Sequence, residues 1–314
     1  MGMRKVLPGI LILLFLLSGC GSSSPLGRTY TDFTAYFNGF YNARNKYQEG
    51  VRAQTTQQAV IDRTQFVTLF PVPQRATIRA HDEAIRKSAD VLRKHPNSRW
   101  TDDALMLIGQ AYFQQGQFAG AEQKFREVLF EWPATSGRAS RHDAEARVWL
   151  SRSMVGNEQF GRAAEFIQES LLRDELPTRQ RSALYFVQTD LLVRQQRWDE
   201  ALLSLEAGLE SVRQRELRAR AMFLQGQILK EQGNFARAAT AFSQAAEATR
   251  SFELEYAAYV NEALALAQSD QGPAALALVR RLERDGKNYE SRNELRLLRG
   301  RILQFSADYD AAFD

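Results

Sequence analysis

The chain of 314 residues has one cysteine, so no disulfide can form within it and its fold must rest on packing. Histidine is scarce too. His81, His95 and His142 stand in no ligand spacing, and with a single thiol they do not make a zinc centre. No glycine-rich turn follows a strand-like run, since no such run exists, and this excludes the phosphate cradles built on that pattern. Long apolar stretches are missing. Residues 6–17 form an uncharged apolar run of 12 residues, against the roughly 20 needed to cross a bilayer. Charge of one sign does not dominate: Lys and Arg number 41, Asp and Glu 37, and without Arg4 and Lys5 the balance is 39 against 37. A nearly neutral body with interspersed charges gives nucleic acid no electrostatic footprint. No cofactor, metal or small-molecule substrate is expected.

What is present begins with the leader. Arg4 and Lys5 precede the apolar run, the order of a secretory signal over residues 1–19. Leu17, Ser18, Gly19 and Cys20 then resemble the bacterial lipobox, where small residues fit the peptidase and the cysteine sulfur accepts a diacylglyceryl group. The resemblance implies cleavage before Cys20, a lipidated tether over residues 20–28, and attachment to a membrane through acyl chains. Each buried methylene contributes about 0.8 kcal/mol, so two or three chains hold firmly. Gly21 stands where an aspartate would signal inner-membrane retention, which points to the outer membrane. Residues 22–27 carry no acidic cluster of the kind read as a surface-export tag, so the body is expected to face the periplasm.

The body repeats. From Asp102 the series Leu105, Ile108, Gly109, Tyr112, Gly116, Phe118, Ala121, Phe125, Val128 and Pro133 falls at the signature positions of the tetratricopeptide repeat. Gly109 and Ala121 let two antiparallel helices approach, Tyr112 and Phe125 fill the space beside them, Gly116 opens the turn, and Pro133 is expected to stop the second helix. The frame recurs from residues 144, 182, 219, 256 and 293, at spacings of 42, 38, 37, 37 and 37. These exceed the consensus of about 34, so helices or turns must be longer. Stacked hairpins of this kind share one continuous core in which each touches only its neighbours. The fold expected is an all-α tetratricopeptide-type solenoid, a right-handed superhelix, over residues 100–314. Its last unit supplies Gly300, Leu303, Tyr309 and Ala312 but ends at Asp314 before a second helix. Either the chain belongs to a longer protein, or something covers that open end.

Residues 29–99 read as a divergent first repeat. Tyr30, Phe33, Tyr36, Phe37, Phe40, Tyr41 and Tyr47 crowd its first helix, and 33, 36, 37, 40 and 41 follow the three-and-four rule of one broad face. That face is expected to pack on a helix over residues 78–94, which carries Ala84, Ser88 and Val91 ahead of Pro96. Between the two lies an insertion of about residues 51–77, rich in Gln and Thr and closing on Phe70, Pro71, Val72 and Pro73. It should be mostly loop, and long loops in compact arrays are often functional.

Three motifs in order carry a family resemblance: Arg28, Tyr30, Thr34, Ala35, Phe37, Asn38, Phe40, Tyr41 and Asn42; then Phe70, Pro71 and Val72; then Trp100, Asp102, Asp103, Ala104, Ile108, Gly109, Ala111, Tyr112 and Phe113. They resemble the SprE/PorW lipoproteins over about residues 28–133. The resemblance implies a tetratricopeptide lipoprotein of the type IX secretion system, linked in some members to gliding, that contacts other envelope proteins. Thr31 departs from the histidine of that family, whose chains are also longer. Two other readings stand beside it: an outer-membrane assembly lipoprotein similar to BamD, which would lack the inserted first repeat, and a solenoid preceding a cell-wall enzyme domain not contained in these residues.

Catalytic constellations are thin. His142, Asp143 and Glu145 cluster at a helix start, where capping and dipole pairing explain them; Asp102 and Asp103 after Trp100 suit a cap as well as a metal pair. No catalytic residue is assigned. The surface with a functional claim is the groove lined by first helices, at repeat offsets 2, 5, 9, 12 and 13, opposite the core stripe. It includes Met106, Phe113, Arg152, Phe186, Val193, Arg194, Phe223, Lys230, Leu297 and Arg301. Such a mixture suits an apolar and acidic partner segment, and equally suits ordinary packing between superhelical turns with solvated arginines.

Overall fold

The computed structural model describes residues 25–55, 61, 65–70 and 78–305, and among these every regular element is helical. None of the described helices is long and apolar enough to cross a membrane. Cys20 and residues 17–19, Pro71, Val72 and Pro73, and Tyr309 and Ala312 lie outside the described residues. The rest fall into two compact units, one drawn from Met1–Gln57 and Val72–Ala163, the other from Gln58–Pro71 and Ala164–Asp314.

In the first unit α1 (Pro25–Ala35) passes through a π-helical turn, Tyr36–Phe40, into α2 (Tyr41–Thr55). Helices α2 and α3 (Arg79–Lys94) form one hairpin, α4 (Thr101–Gln114) and α5 (Phe118–Arg126) the next, and α7 (Asp143–Gly156) follows. Two expectations need correction. Helix α2 continues past Val51 to Thr55, because Gln54 is anchored: its amide donates to the Gln114 carbonyl at 2.6 Å and its oxygen meets His81 Nε2 at 3.2 Å. Pro133 does not stop its helix. A π-helical turn, Glu127–Glu131, leads into α6 (Trp132–Ser136), so the backbone stays helical past the proline, and Gly137 at φ 71° ends it.

The second unit contains α9 (Thr178–Arg194) paired with α10 (Trp198–Leu209), α11 (Arg215–Glu231) with α12 (Phe235–Ala248), and α13 (Phe252–Gln268) with α14 (Gly272–Arg284). Helix α8 (Phe160–Leu171) precedes these and α15 (Arg292–Phe305) follows. The first helices α9, α11 and α13 have 17 residues each, against 14 in α4 and α7, so part of the longer pitch is extra helix.

One device closes five hairpins. Gly116, Glu158, Gln196, Gly233 and Asp270 all take positive φ. The next N–H then reaches back five residues: Gln117 to Tyr112, Gln159 to Met154, Arg197 to Leu192, Asn234 to Leu229 and Gln271 to Leu266, at 2.9–3.0 Å. Beyond each turn the second helix buries an alanine, Ala121, Ala163, Ala201, Ala238 or Ala275, and, four residues on, a bulky residue, Phe125, Ile167, Leu205, Phe242 or Val279, all at 0 % exposure. The close approach is real: a Cβ on Gly109 would lie 2.7 Å from the Phe125 ring.

The aromatic-rich helix divides its residues. Tyr36 and Phe40 turn inward onto Trp100, with centroids 4.7 and 5.4 Å away, and Tyr47 meets His81 at 5.6 Å. Tyr30, Phe33, Phe37 and Tyr41 stay exposed, so the single broad face expected from their spacing is two faces.

Candidate functional site

The described part of the insertion, Ile61 and residues 65–70, sits in the second unit, and its backbone is gripped by side chains of two first helices. Gln227 on α11 accepts the Val67 N–H at 2.9 Å and donates its amide to the Gln65 carbonyl at 2.9 Å. Arg220, two turns earlier on the same helix, donates Nε to the Thr68 carbonyl at 2.7 Å. Asp190 on α9 accepts the Leu69 and Phe70 N–H groups on its two oxygens, at 2.8 and 3.1 Å. The segment is neither helix nor strand, so these bonds replace those that regular structure would supply.

Its side chains complete the seat. Val67 and Leu69 are 7 % and 2 % exposed within the apolar cluster of Phe186, Phe223, Leu224 and Ile228. Phe66 stacks on Trp198 at 5.1 Å, and Phe70 sets its edge to Phe186 at 6.5 Å. Asp190 is itself buried, and burial pushes the Arg220 guanidinium below its ordinary value while the nearby Asp190 charge opposes that shift. A cavity of about 490 Å³ lies beside Ile61, Leu69 and Phe70, bordered on its other sides by Leu217, Arg220 and Leu254.

The candidates named from sequence are distributed unevenly around this geometry. Phe186 and Phe223 are fully buried, and Val193 packs against the same cluster, so these three belong to the filled groove and not to a free surface. Met106 and Phe113 are corrections: both are core. Helix α4 buries every residue from Ala104 to Gly109, because a first helix is covered on most of its circumference, and Phe113 packs edge-on to Phe118 and Trp149. Arg152 lies over the Trp149 ring at 4.2 Å and the Phe113 ring at 4.6 Å. Arg194, Leu297 and Arg301 are exposed. Lys230 and Arg301 meet at a second cavity of about 480 Å³, with Leu264, Gln268, Gln304 and Phe305.

Asp190, Arg220 and Gln227 were not among the named candidates, although the offset rule passes through them. Counting from 182 and 219, Asp190 and Gln227 are ninth residues and Arg220 a second residue. A search for apolar anchors and exposed cations overlooks a buried carboxylate and an amide; the signal was their shared offset.

The polar cluster at the repeat junction has a structural account. Asp102, Asp103 and His142 offer ligand atoms within 4.8 Å of one another. Each carboxylate is already engaged: Asp102 accepts Ser140 Oγ at 3.0 Å, while Asp103 takes His142 Nε2 at 3.1 Å and the Arg141 guanidinium. The residues that precede α4 and α7, Trp100 and His142, make no side-chain cap, but Asp102 Oδ1 accepts the Asp103 N–H at 3.1 Å, and Asp102, Asp103, Asp143 and Glu145 sit in the first turns, where the helix dipole favours them; the acids also clasp the start of the next repeat. Asp32 repeats the arrangement with Ser98 Oγ and the Arg99 N–H, both at 2.9 Å, and Glu216 with Thr249 Oγ1 and the Arg250 N–H, at 2.7 and 2.8 Å.

Stacked antiparallel hairpins with left-handed turns and a small residue opposite a bulky one define a helical-hairpin repeat protein, and two of its first helices grip a polypeptide backbone. The tetratricopeptide repeat model matches residues 79–136, 187–251 and 229–291, more than half of the chain, and the chain belongs to that family. No curated protein matches the sequence. Among solved structures it is similar to the complex of the TPR2AB domain with pHSP90 from yeast Sti1, at 15 % identity over 83 % of this chain and 98 % of that chain, with a TM-score of 0.30.

Proposed function

We propose that this tetratricopeptide protein is a non-enzymatic scaffold of the bacterial envelope that binds other proteins by gripping non-helical segments. One observation carries the binding role: Asp190, Arg220 and Gln227 hold five backbone groups of a segment more than a hundred residues away in sequence. Side chains that bind backbone serve any sequence able to present it, which is how a scaffold takes up chain segments. The envelope role rests on the sequence. The lipobox at Cys20 supports a lipid anchor, Gly21 an outer-membrane address, and the three ordered motifs a place in type IX secretion beside the SprE/PorW lipoproteins. The inserted first repeat favours this reading over a BamD-like assembly factor.

Metabolic labelling with a palmitate analogue, followed by photo-crosslinking from Arg194 in the native host, tests both parts. Label lost on Cys20→Ala, with discrete cross-linked envelope proteins, is the expected result. Absence of label removes the anchor, and absence of any cross-linked protein removes the scaffold.

A further inference from the structure

We propose that residues 65–70 are a resident pseudo-ligand: the groove of the second unit is a peptide-recognition site whose external ligand is a non-helical segment of the same chemistry, an aromatic residue at each end and two aliphatic residues flanking a small polar one, as in Phe66-Val67-Thr68-Leu69-Phe70. This deepens the scaffold reading and rests on it.

The gripping groups all belong to helix side chains, so the polar contacts of the groove are supplied from outside the segment that fills it. Asp190 and Gln227 occupy the same repeat offset one repeat apart, and each serves two backbone atoms: Asp190 two N–H groups, Gln227 one N–H and one carbonyl. They read backbone from matching places on neighbouring repeats, and Arg220 holds the carbonyl between them. Specificity comes from the side chains. Val67 and Leu69 fill the apolar floor, and the two aromatics rest on Trp198 and Phe186.

The resident segment competes from within the chain at an effective concentration on the order of millimolar. A free peptide must therefore bind the unaltered protein weakly, and far better once the resident is disabled.

The test titrates the full mature chain with a fluorescein-labelled peptide of residues 64–71, read by anisotropy. Val67→Asp with Leu69→Asp puts two charges on the apolar floor and expels the resident segment. This variant is expected to bind the peptide at least tenfold more tightly than the unaltered chain, and adding Asp190→Ala is expected to abolish that binding. A folded variant that ignores the peptide, or binding indifferent to Asp190→Ala, overturns the proposal. If the charged variant unfolds, Phe66→Ser with Phe70→Ser replaces it under the same criteria, and unfolding of both shows a permanent strap and overturns the proposal as well. Cross-linked partners that persist in cells after a failed titration leave the scaffold standing and remove only this groove.

Discussion

Five hairpin turns need a residue at positive φ, and only Gly116 and Gly233 meet the need with glycine; Glu158, Gln196 and Asp270 adopt φ of 58°, 57° and 59° with a Cβ attached. A left-handed L-residue costs roughly 1–2 kcal/mol, less for Asp, and glycine returns part of that gain as entropy in the unfolded chain. Gln196→Gly and Glu158→Gly are therefore expected to stabilise the protein by about 0.5–1 kcal/mol each. Urea unfolding should show a higher midpoint at unchanged slope, and a lower midpoint would mean that the turn carries no strain. The turn at Gly116 was legible because glycine marks it; at Gln196 the same conformation is imposed by the packing on either side, and no local residue announces it.

Histidine burial sets a pH dependence at the same scale. His81 is fully buried against Tyr47, with Gln54 on Nε2, and burial lowers its proton affinity, opposed by Asp82. His142 is lowered chiefly by burial and further by Arg141, with Asp102 and Glu145 opposing. For both, the unfolded chain binds the proton more readily. Stability is thus complete above the unfolded value near 6.5 and is lost as pH falls from there through the lowered folded values. Glu262 acts oppositely, because burial raises it, so acidification restores its contribution. His81→Leu isolates one histidine: the fall in melting temperature between about pH 7 and pH 5 should be smaller than in the unaltered chain. An equal fall would show that His81 is protonated without cost.

At the scale of elements, the aromatic helix shows how far spacing can be trusted. The three-and-four rule placed residues 33, 36, 37, 40 and 41 on one face, but that arc is wider than a neighbouring helix covers, and the π-helical turn at Tyr36–Phe40 shifts the register within it. Phe40 lies stacked on Trp100, while Phe33 remains exposed. Phe40→Ala is expected to cost about 3–5 kcal/mol and Phe33→Ala less than about 0.5 kcal/mol. Chemical denaturation of the two variants checks the difference, and equal losses would place both rings in the core. The second helices were more legible than the first. Ala121 and Phe125 mark a one-sided stripe, whereas α4 is covered nearly all round, so counting offsets could not tell a groove residue such as Met106 from a core residue.

At the scale of the whole molecule, the repeat frame from residue 102 onward was open to reading, because small and bulky residues recur at a nearly constant pitch. The destination of the insertion was not. Hydrogen bonds to its backbone leave no residue pattern in the segment, and Asp190 lies about 120 residues away. What the segment does for stability follows from its position: Val67 and Leu69 complete an apolar cluster that belongs to the second unit alone. In a stack where each hairpin is supported by its neighbours, a loss at one place propagates through adjoining repeats and fades with distance. Val67→Ala with Leu69→Ala leaves the backbone bonds possible and removes only apolar contact, at a cost of about 2–5 kcal/mol. Hydrogen exchange should then accelerate in α9 to α12 by up to roughly 30–4,000-fold, at about 1.4 kcal/mol per decade, with the amides of α4, α5 and α7 unchanged. Equal acceleration across both units would mean that the chain unfolds as a single cooperative block, and that a segment seated in one unit sustains the packing of the other.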